Sequence, residues 1–396
     1  MLDPILEKTL LALFTKTFIN GTCIKDDPQY VVYESSDGSR YLEAKDKSFH
    51  FLFDRNTGFT AKWGKRFEDD VVFNPFGPEI ADIEITKHCS GVRNKSGNRN
   101  WCKFCYKSNT NNGGYMDLKT FKKLFNILNE SKTLTQIAFG TGASLSKDEN
   151  PDYWDIFHYC KSHGVTPNVT VADISKDTAR KMVKFFGACA VSYYPMIDKN
   201  RCYDSVQRLV KAALQARREM KVNIHCLLAV ETFDSVIGLL NDVKTDKRLQ
   251  GLNAVVFLSL KQKGRGKGFT KLNDEQFSKI INKCVDMKIS YGMDSCSANK
   301  FLRTIEHFPN KEELIQMIEP CESFGLFSMY VDCYGTYYPC SFMEKTGKWE
   351  NGINLLKIND FCKEVWYSEK LCEDRNKSLE KAKCNGGCTS CPYYSI

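Results

Sequence analysis

No apolar run in this 396-residue chain approaches the roughly 20 residues of a membrane-spanning helix, so no membrane span is expected. The stretch Leu10, Leu11, Ala12, Leu13, Phe14 is too short for the hydrophobic region of a secretion signal, and Glu7 and Lys16 flank it closely. A cytoplasmic location is the expectation. The chain also lacks an internal repeat and any long low-complexity segment, which sets aside solenoid and disordered architectures. No sign of charge dominates: 56 basic residues against 48 acidic leave +8, spread along the sequence. That balance reads as a solvated basic surface and makes nucleic acid an unexpected partner. Hydrophobic residues make up 42% of the chain, as in a globular protein. What is abundant is cysteine, at 18 residues. In a reducing compartment so many thiols do not read as disulfides, and a metal or a cluster is their default use.

The length allows two or three domains. Residues 1–80 read as a small α+β module. An amphipathic segment, Pro4–Ile19, precedes two hairpin-like stretches, Tyr30–Leu42 turning at Ser36-Asp37-Gly38 and Phe49–Trp63 turning at Asn56-Thr57-Gly58. Residues 81–300 alternate strands and helices. Strands are expected at Ile83–Thr86, Gln136–Phe139, Val169–Val171, Ala188–Ser192, Val222–Leu228, Ala254–Leu260 and Ile289–Gly292. Helical patterns lie between them, at Leu118–Asn129, Tyr153–Ser162, Lys176–Phe186, Tyr203–Met220, Phe233–Thr245 and Asp274–Lys288, with Asp117, Ser175 and Asn273 as capping residues. Repeated strand–helix units predict an α/β fold with parallel strands, a barrel or partial barrel whose ligands sit at the C-terminal strand ends. Residues 301–396 break this pattern and form a third, cysteine-rich unit.

The first cysteine group is Cys89-x12-Cys102-x2-Cys105, in the loop after the first of these strands. A [4Fe–4S] cluster normally takes four thiolates, so three leave one iron with an open coordination position, which points to chemistry. A zinc site using a further cysteine from elsewhere is the other reading. The insert from Ser90 to Trp101 is polar, holds Arg93, Lys95 and Arg99, and reads as a looped-out segment. Phe104 stands one residue before the last cysteine. The run Cys102-Lys103-Phe104-Cys105 resembles the second half of the loop of the radical S-adenosylmethionine (SAM) superfamily, C-x3-C-x-Φ-C with Φ aromatic. It departs from that loop in the first gap, twelve residues in place of three.

The resemblance implies a partial (β/α)6 TIM-like barrel in which Cys89, Cys102 and Cys105 hold three irons. The fourth iron would be chelated by SAM. Reductive cleavage would then release a 5′-deoxyadenosyl radical that takes hydrogen from substrate. It further implies that Phe104 packs near the adenine and that Gly140, Thr141 and Gly142 meet the SAM amino group at the end of the second strand. The family's usual Glu and Pro are missing after these glycines. Ser192 and Arg265 are implied as further SAM contacts; Asp173 and Thr170 follow or end the third strand.

The second group reads Cys321-x13-Gly335-x4-Cys340, with Cys384-x3-Cys388-x2-Cys391 further on. This resembles the SPASM and twitch extensions of radical SAM enzymes and implies one auxiliary [4Fe–4S] cluster. Cys321, Cys340, Cys384, Cys388 and Cys391 compete for its four places, and a structural zinc knuckle is the other reading. Cys296 and Cys333 are candidates to return a hydrogen atom to a substrate radical, against simple packing. Cys23, Cys160, Cys189, Cys202, Cys226, Cys284, Cys362 and Cys372 read as small buried hydrophobes, and His225 as a satisfied core histidine. Members with this extension often modify peptides or proteins by crosslinking, epimerisation or oxidation. A peptide or protein substrate is therefore implied, with an electron donor such as flavodoxin or ferredoxin. A small molecule or nucleoside is the second substrate reading, and a zinc-stabilised nucleic-acid-binding protein is the rival from another class. The 1–80 module would cap the barrel or bind a leader peptide.

Overall fold

A computed structural model describes residues 21–315, 318, 320–384 and 391. The expected amphipathic segment Pro4–Ile19 and Cys388 lie outside them.

The N-terminal module is a five-stranded antiparallel meander. Its strands are β1 (Thr22–Asp26), β2 (Tyr30–Glu34), β3 (Arg40–Ala44), β4 (His50–Phe53) and β5 (Thr60–Trp63), paired in that order. The two expected hairpins are β2/β3 and β4/β5. In the first turn Asp37 accepts from the backbone N–H of Ser39 and the Ser35 hydroxyl, and Gly38 takes a positive φ of 85°. Alternation then places Tyr30, Val32, Leu42, Ala44, Phe51 and Phe53 on one face, against Leu326 and Phe327 of the C-terminal unit. Buried Arg40 reaches across to the carbonyl of Leu134 (2.7 Å), Tyr30 to that of Ser131 (3.0 Å) and Arg55 to that of Lys161 (3.1 Å). These carbonyls belong to segments entering strands of the main sheet. The module therefore closes the N-terminal end of the barrel, opposite the cysteine triad.

The main sheet starts with β6 (Ile80–Glu84). A small ribbon of β7 (Val92–Arg93) and β8 (Arg99–Asn100) follows it. Then come β9 (Gln136–Gly140), β10 (Thr166–Val171), β11 (Ala188–Ser192), β12 (Lys221–Leu228), β13 (Ala254–Ser259) and β14 (Tyr291–Met293), each parallel to the strand before it, with β9 on β6. Asp117, Ser175 and Asn273 cap their helices as expected, accepting from the backbone N–H groups of Thr120, Thr178 and Gln276. The fourth helix runs Lys199–Ala216 rather than Tyr203–Met220. Asp198 caps it by accepting from Asn200, so the helix begins in a polar turn that hydrophobic periodicity cannot see. Ile83, Ile137, Phe139, Val171, Val191, Ile224 and Phe257 join the buried layer that also takes in the helices. The alternate positions facing inward are small or polar: Ala138, Gly140, Thr170, Ala188, Ala190, Ser192, Asn223 and His225. The barrel interior is therefore left open.

The C-terminal unit is more closely joined to the barrel than its sequence suggests. β15 (Ser328–Val331) pairs in parallel with the free edge of β6, and β16 (Thr336–Tyr338) and β17 (Ile353–Asn354) continue the same sheet as antiparallel strands. Covering that edge satisfies backbone groups that β6 would otherwise expose. Trp366 donates to the carbonyl of Asn74, and Arg375 donates to the carbonyls of Gly325 and Trp366. Among the described residues no helix is long and apolar enough to cross a membrane.

Candidate active site

The open barrel interior forms a cavity of about 690 Å³ at the C-terminal strand ends, within the range of sites for small ligands. Cys89, Cys102 and Cys105 border it. The twelve-residue gap is an ordered hairpin, not a loose loop. β7 and β8 pair Val92 with Asn100 and Arg93 with Arg99, which returns the chain to its starting point. At the base, Trp101 donates its indole N–H to the Cys89 carbonyl (2.9 Å), and Arg99 bonds the Ser90 hydroxyl (2.8 Å). Arg93 anchors the ribbon through a two-point pair with buried Asp173 (2.7 and 3.2 Å). Val92 packs with Ala143 and Ala172. The wide spacing thus still delivers Cys89 beside the Cys102 and Cys105 pair, and Asp173 proves to hold the triad loop.

Glu149 is fully buried, and no local sequence pattern points to its role. Its carboxylate accepts from the Ser90 N–H (3.0 Å) and hydroxyl (2.6 Å) and from the N–H groups of Ala143 (2.8 Å) and Ser144 (3.1 Å). One acid therefore ties the triad loop to the glycine segment after β9. A Cβ at Gly142 would run into that carboxyl, and the Gly142 N–H donates to the Tyr153 hydroxyl oxygen (3.0 Å). Glu149→Ala strands several buried donors and is expected to destabilise the apoprotein, read as a lowered denaturant midpoint.

Gly140, Thr141, Gly142, Ser192, Phe104 and Arg265 all border the cavity, so the expected SAM set is brought together. The Thr141 hydroxyl donates to the Thr170 carbonyl (2.9 Å). Phe104 packs between Tyr194 and Phe269, at 5.6 and 5.7 Å between ring centres. Arg265 donates to the carbonyls of Cys102 (2.8 Å) and Asn109 (3.2 Å), so its guanidinium braces the triad loop. Gly264, at φ 56°, lies against the backbone of Cys105 and Tyr106 where a side chain would not fit.

Burial raises the Cys89 thiol and pushes Cys102 up to about 12; at Cys102 the Tyr194 hydroxyl partly opposes this by hydrogen bonding. A bound cationic iron centre reverses that preference and ionises the thiols. Tyr194, not foreseen from sequence, is thus placed to tune a cluster held there. Among the described residues no three His, Cys, Asp or Glu side chains close on one point as a single metal ion requires. The three thiols border a shared void instead, which suits a multi-iron group whose ligands sit on separate irons.

Cys321, Cys340 and Cys391 border the same cavity. Cys384 ends the last helix, Glu369–Cys384. Cys296 reaches the cavity, whereas Cys333 is buried in the main core and is not among the lining residues. Cys160, Cys189, Cys202, Cys226 and Cys284 are buried as expected, but Cys23 is exposed. His225 lines the cavity rather than the packed core, and burial lowers it to about 4, so its ring is neutral at pH 7. Asp82 also faces the lumen; enclosure by the barrel raises it to about 6, with Lys107 opposing.

Beside the cavity a charge cluster joins the barrel to the C-terminal unit. Glu344 accepts from Lys87 (2.7 Å) and Lys107, while Glu84 accepts from Tyr330 (3.0 Å) and Asn109 (3.2 Å). Burial alone raises Glu344, yet Lys107 and Lys87 outweigh it and hold the carboxyl at about 2.

No family model matches the chain, and no curated protein matches it. Among solved structures it is similar to BtrN in complex with AdoMet and 2-DOIA, at 11% identity, 76% of this chain and 86% of that one, with a TM-score of 0.35. Methylornithine synthase (PylB) gives 13%, 80% and 85%, with a TM-score of 0.42. A truncated 3-deoxy-D-arabino-heptulosonate 7-phosphate synthase from Thermotoga maritima gives 8%, 81% and 92%, with a TM-score of 0.34.

Proposed function

We propose that this chain is a radical SAM enzyme. One observation carries the reading: a built ribbon absorbs a twelve-residue gap and sets Cys89, Cys102 and Cys105 on the wall of an open barrel, with no fourth thiol in that loop. Three irons of a [4Fe–4S] cluster would bind these thiolates, and the fourth would take SAM. When bound, the reduced cluster supplies the electron that cleaves the SAM sulfonium to a 5′-deoxyadenosyl radical. Gly140 and Gly142 would admit the SAM amino group by close backbone approach, Ser192 its ribose, and Phe104 its adenine. Arg265 and Glu149 hold the loops that present these groups. The N-terminal module keeps the opposite end of the barrel shut, which favours a barrel cap over a leader-binding role.

The second cysteine group would hold an auxiliary cluster of the twitch kind. The proposed substrate is a peptide or protein offering one side chain, since the lumen must take SAM and reactant together. Neutral His225, Asn223 and Asp82 line the part of the lumen where that side chain would lie. An external one-electron donor of the flavodoxin or ferredoxin type would supply reducing equivalents.

The test is anaerobic reconstitution followed by SAM and a strong reductant. Brown protein with about eight irons per chain and release of 5′-deoxyadenosine are expected. Colourless protein with stoichiometric zinc and no 5′-deoxyadenosine would overturn the reading.

A further inference from the structure

We propose that Cys296 is a ligand of the auxiliary cluster, completing a set with Cys321, Cys340 and Cys391. The inference rests on the reading of an auxiliary cluster above and changes its membership: Cys384 and Cys388 are not needed.

The four cysteines come from four separate segments. Cys296 lies on the short turn Ser295–Ser297 after β14; Cys321 precedes β15, Cys340 follows β16, and Cys391 lies beyond the last helix. All four border the one cavity. Cys296 shares this cavity wall although it is 25 residues before Cys321 in a different unit of the sequence.

The turn that carries Cys296 is fixed from both sides. The Asp294 N–H donates to the Phe257 carbonyl (2.9 Å), and the Asp294 carboxylate accepts from the Ser259 N–H (3.1 Å) and the Ser297 hydroxyl. The Ser259 and Ser297 hydroxyls meet at 2.6 Å. Every polar side chain next to Cys296 on its C-terminal side and at Asp294 is consumed by the fold, which leaves the thiol turned to the cavity on a rigid base. Lys261, with a side chain only 3% exposed, pairs with Asp294 and also reaches the Cys296 sulfur. Four thiolates on a [4Fe–4S] core leave a net negative site, and a buried ammonium beside one of them offsets that charge.

The deciding experiment removes the SAM-binding cluster first. The triple variant C89A/C102A/C105A, reconstituted anaerobically, is expected to retain about four irons and four sulfides per chain with the signal of a reduced [4Fe–4S] centre in electron paramagnetic resonance. Adding Cys296→Ala is expected to remove that iron, as Cys321→Ala does, whereas adding Cys388→Ala is expected to keep it. Circular dichroism of each apoprotein separates loss of a ligand from loss of the fold, and Cys296→Ser, which keeps the volume, is expected to retain fewer irons or shift the signal. Full retention of an unchanged cluster by both Cys296 variants would overturn the proposal while leaving the auxiliary cluster standing. A triple variant that holds no iron with Cys296 intact would overturn both.

Discussion

Replacing Cys102 with alanine is expected to abolish 5′-deoxyadenosine formation, a larger effect than the roughly 10–100-fold that loss of an outer-shell partner brings to a metal site. Cys102 is held from several sides: Arg265 holds its carbonyl, Tyr194 bonds its sulfur, and Phe104 packs on Tyr194. An alanine leaves the Arg265 and Phe104 contacts in place but removes the proposed iron ligand, which no neighbouring thiol replaces in that loop. The fold should survive, because the change is small and borders a cavity, not the packed core. Reconstituted Cys102→Ala should therefore show an apoprotein circular dichroism spectrum like that of the parent, about half its iron, and no SAM cleavage. Cleavage at the parental rate would remove the triad from the chemistry altogether.

The largest stability effect is expected at Glu344. Glu344→Ala takes the nearest carboxylate from Lys87 and Lys107, in side chains only 17% and 10% exposed, and leaves them the more distant Glu84 (3.9 and 3.6 Å) and, for Lys87, Asp332 (3.9 Å). Removing one member of an isolated buried pair costs about 3–5 kcal/mol; with Glu84 and Asp332 remaining, a smaller loss is expected, which denaturant unfolding of the anaerobic apoprotein measures directly. Glu344→Gln, which keeps shape and accepts one hydrogen bond, should cost less. The pH dependence has a definite sign. The folded carboxyl titrates at about 2, below the ordinary glutamate value near ~4.3. Its contribution is complete above the unfolded value and is lost as pH falls toward 2. The gap between parent and Glu344→Ala should thus be widest at neutral pH and shrink below about pH 4. A gap that does not change with pH would show that packing, not charge, sets it. The same residues join β6, the segment after Cys105 and the C-terminal unit, so partial loosening of the barrel is the expected companion of this variant.

What the sequence determined by itself is local. Period-two and period-3.6 patterns located both hairpins and the strand–helix alternation, and Asp117, Ser175 and Asn273 marked helix starts, because each signal lies within a few neighbouring residues. The triad and its aromatic neighbour were equally legible, as spacing within one loop. What only the tertiary structure decided depends on residues far apart in the chain. A polar insert became a ribbon because Asp173, 80 residues after Arg93, fixes it. Glu149 joined two loops, with no local pattern to announce it. β15 met the edge of β6, so the cysteine-rich unit shares the barrel's sheet and opens onto its cavity. That closeness sets Cys296, Cys321, Cys340 and Cys391 on the wall of one cavity. Periodicity reports which face of an element is buried, but not which distant element will cover it; that is settled by packing and by pairing of free backbone edges.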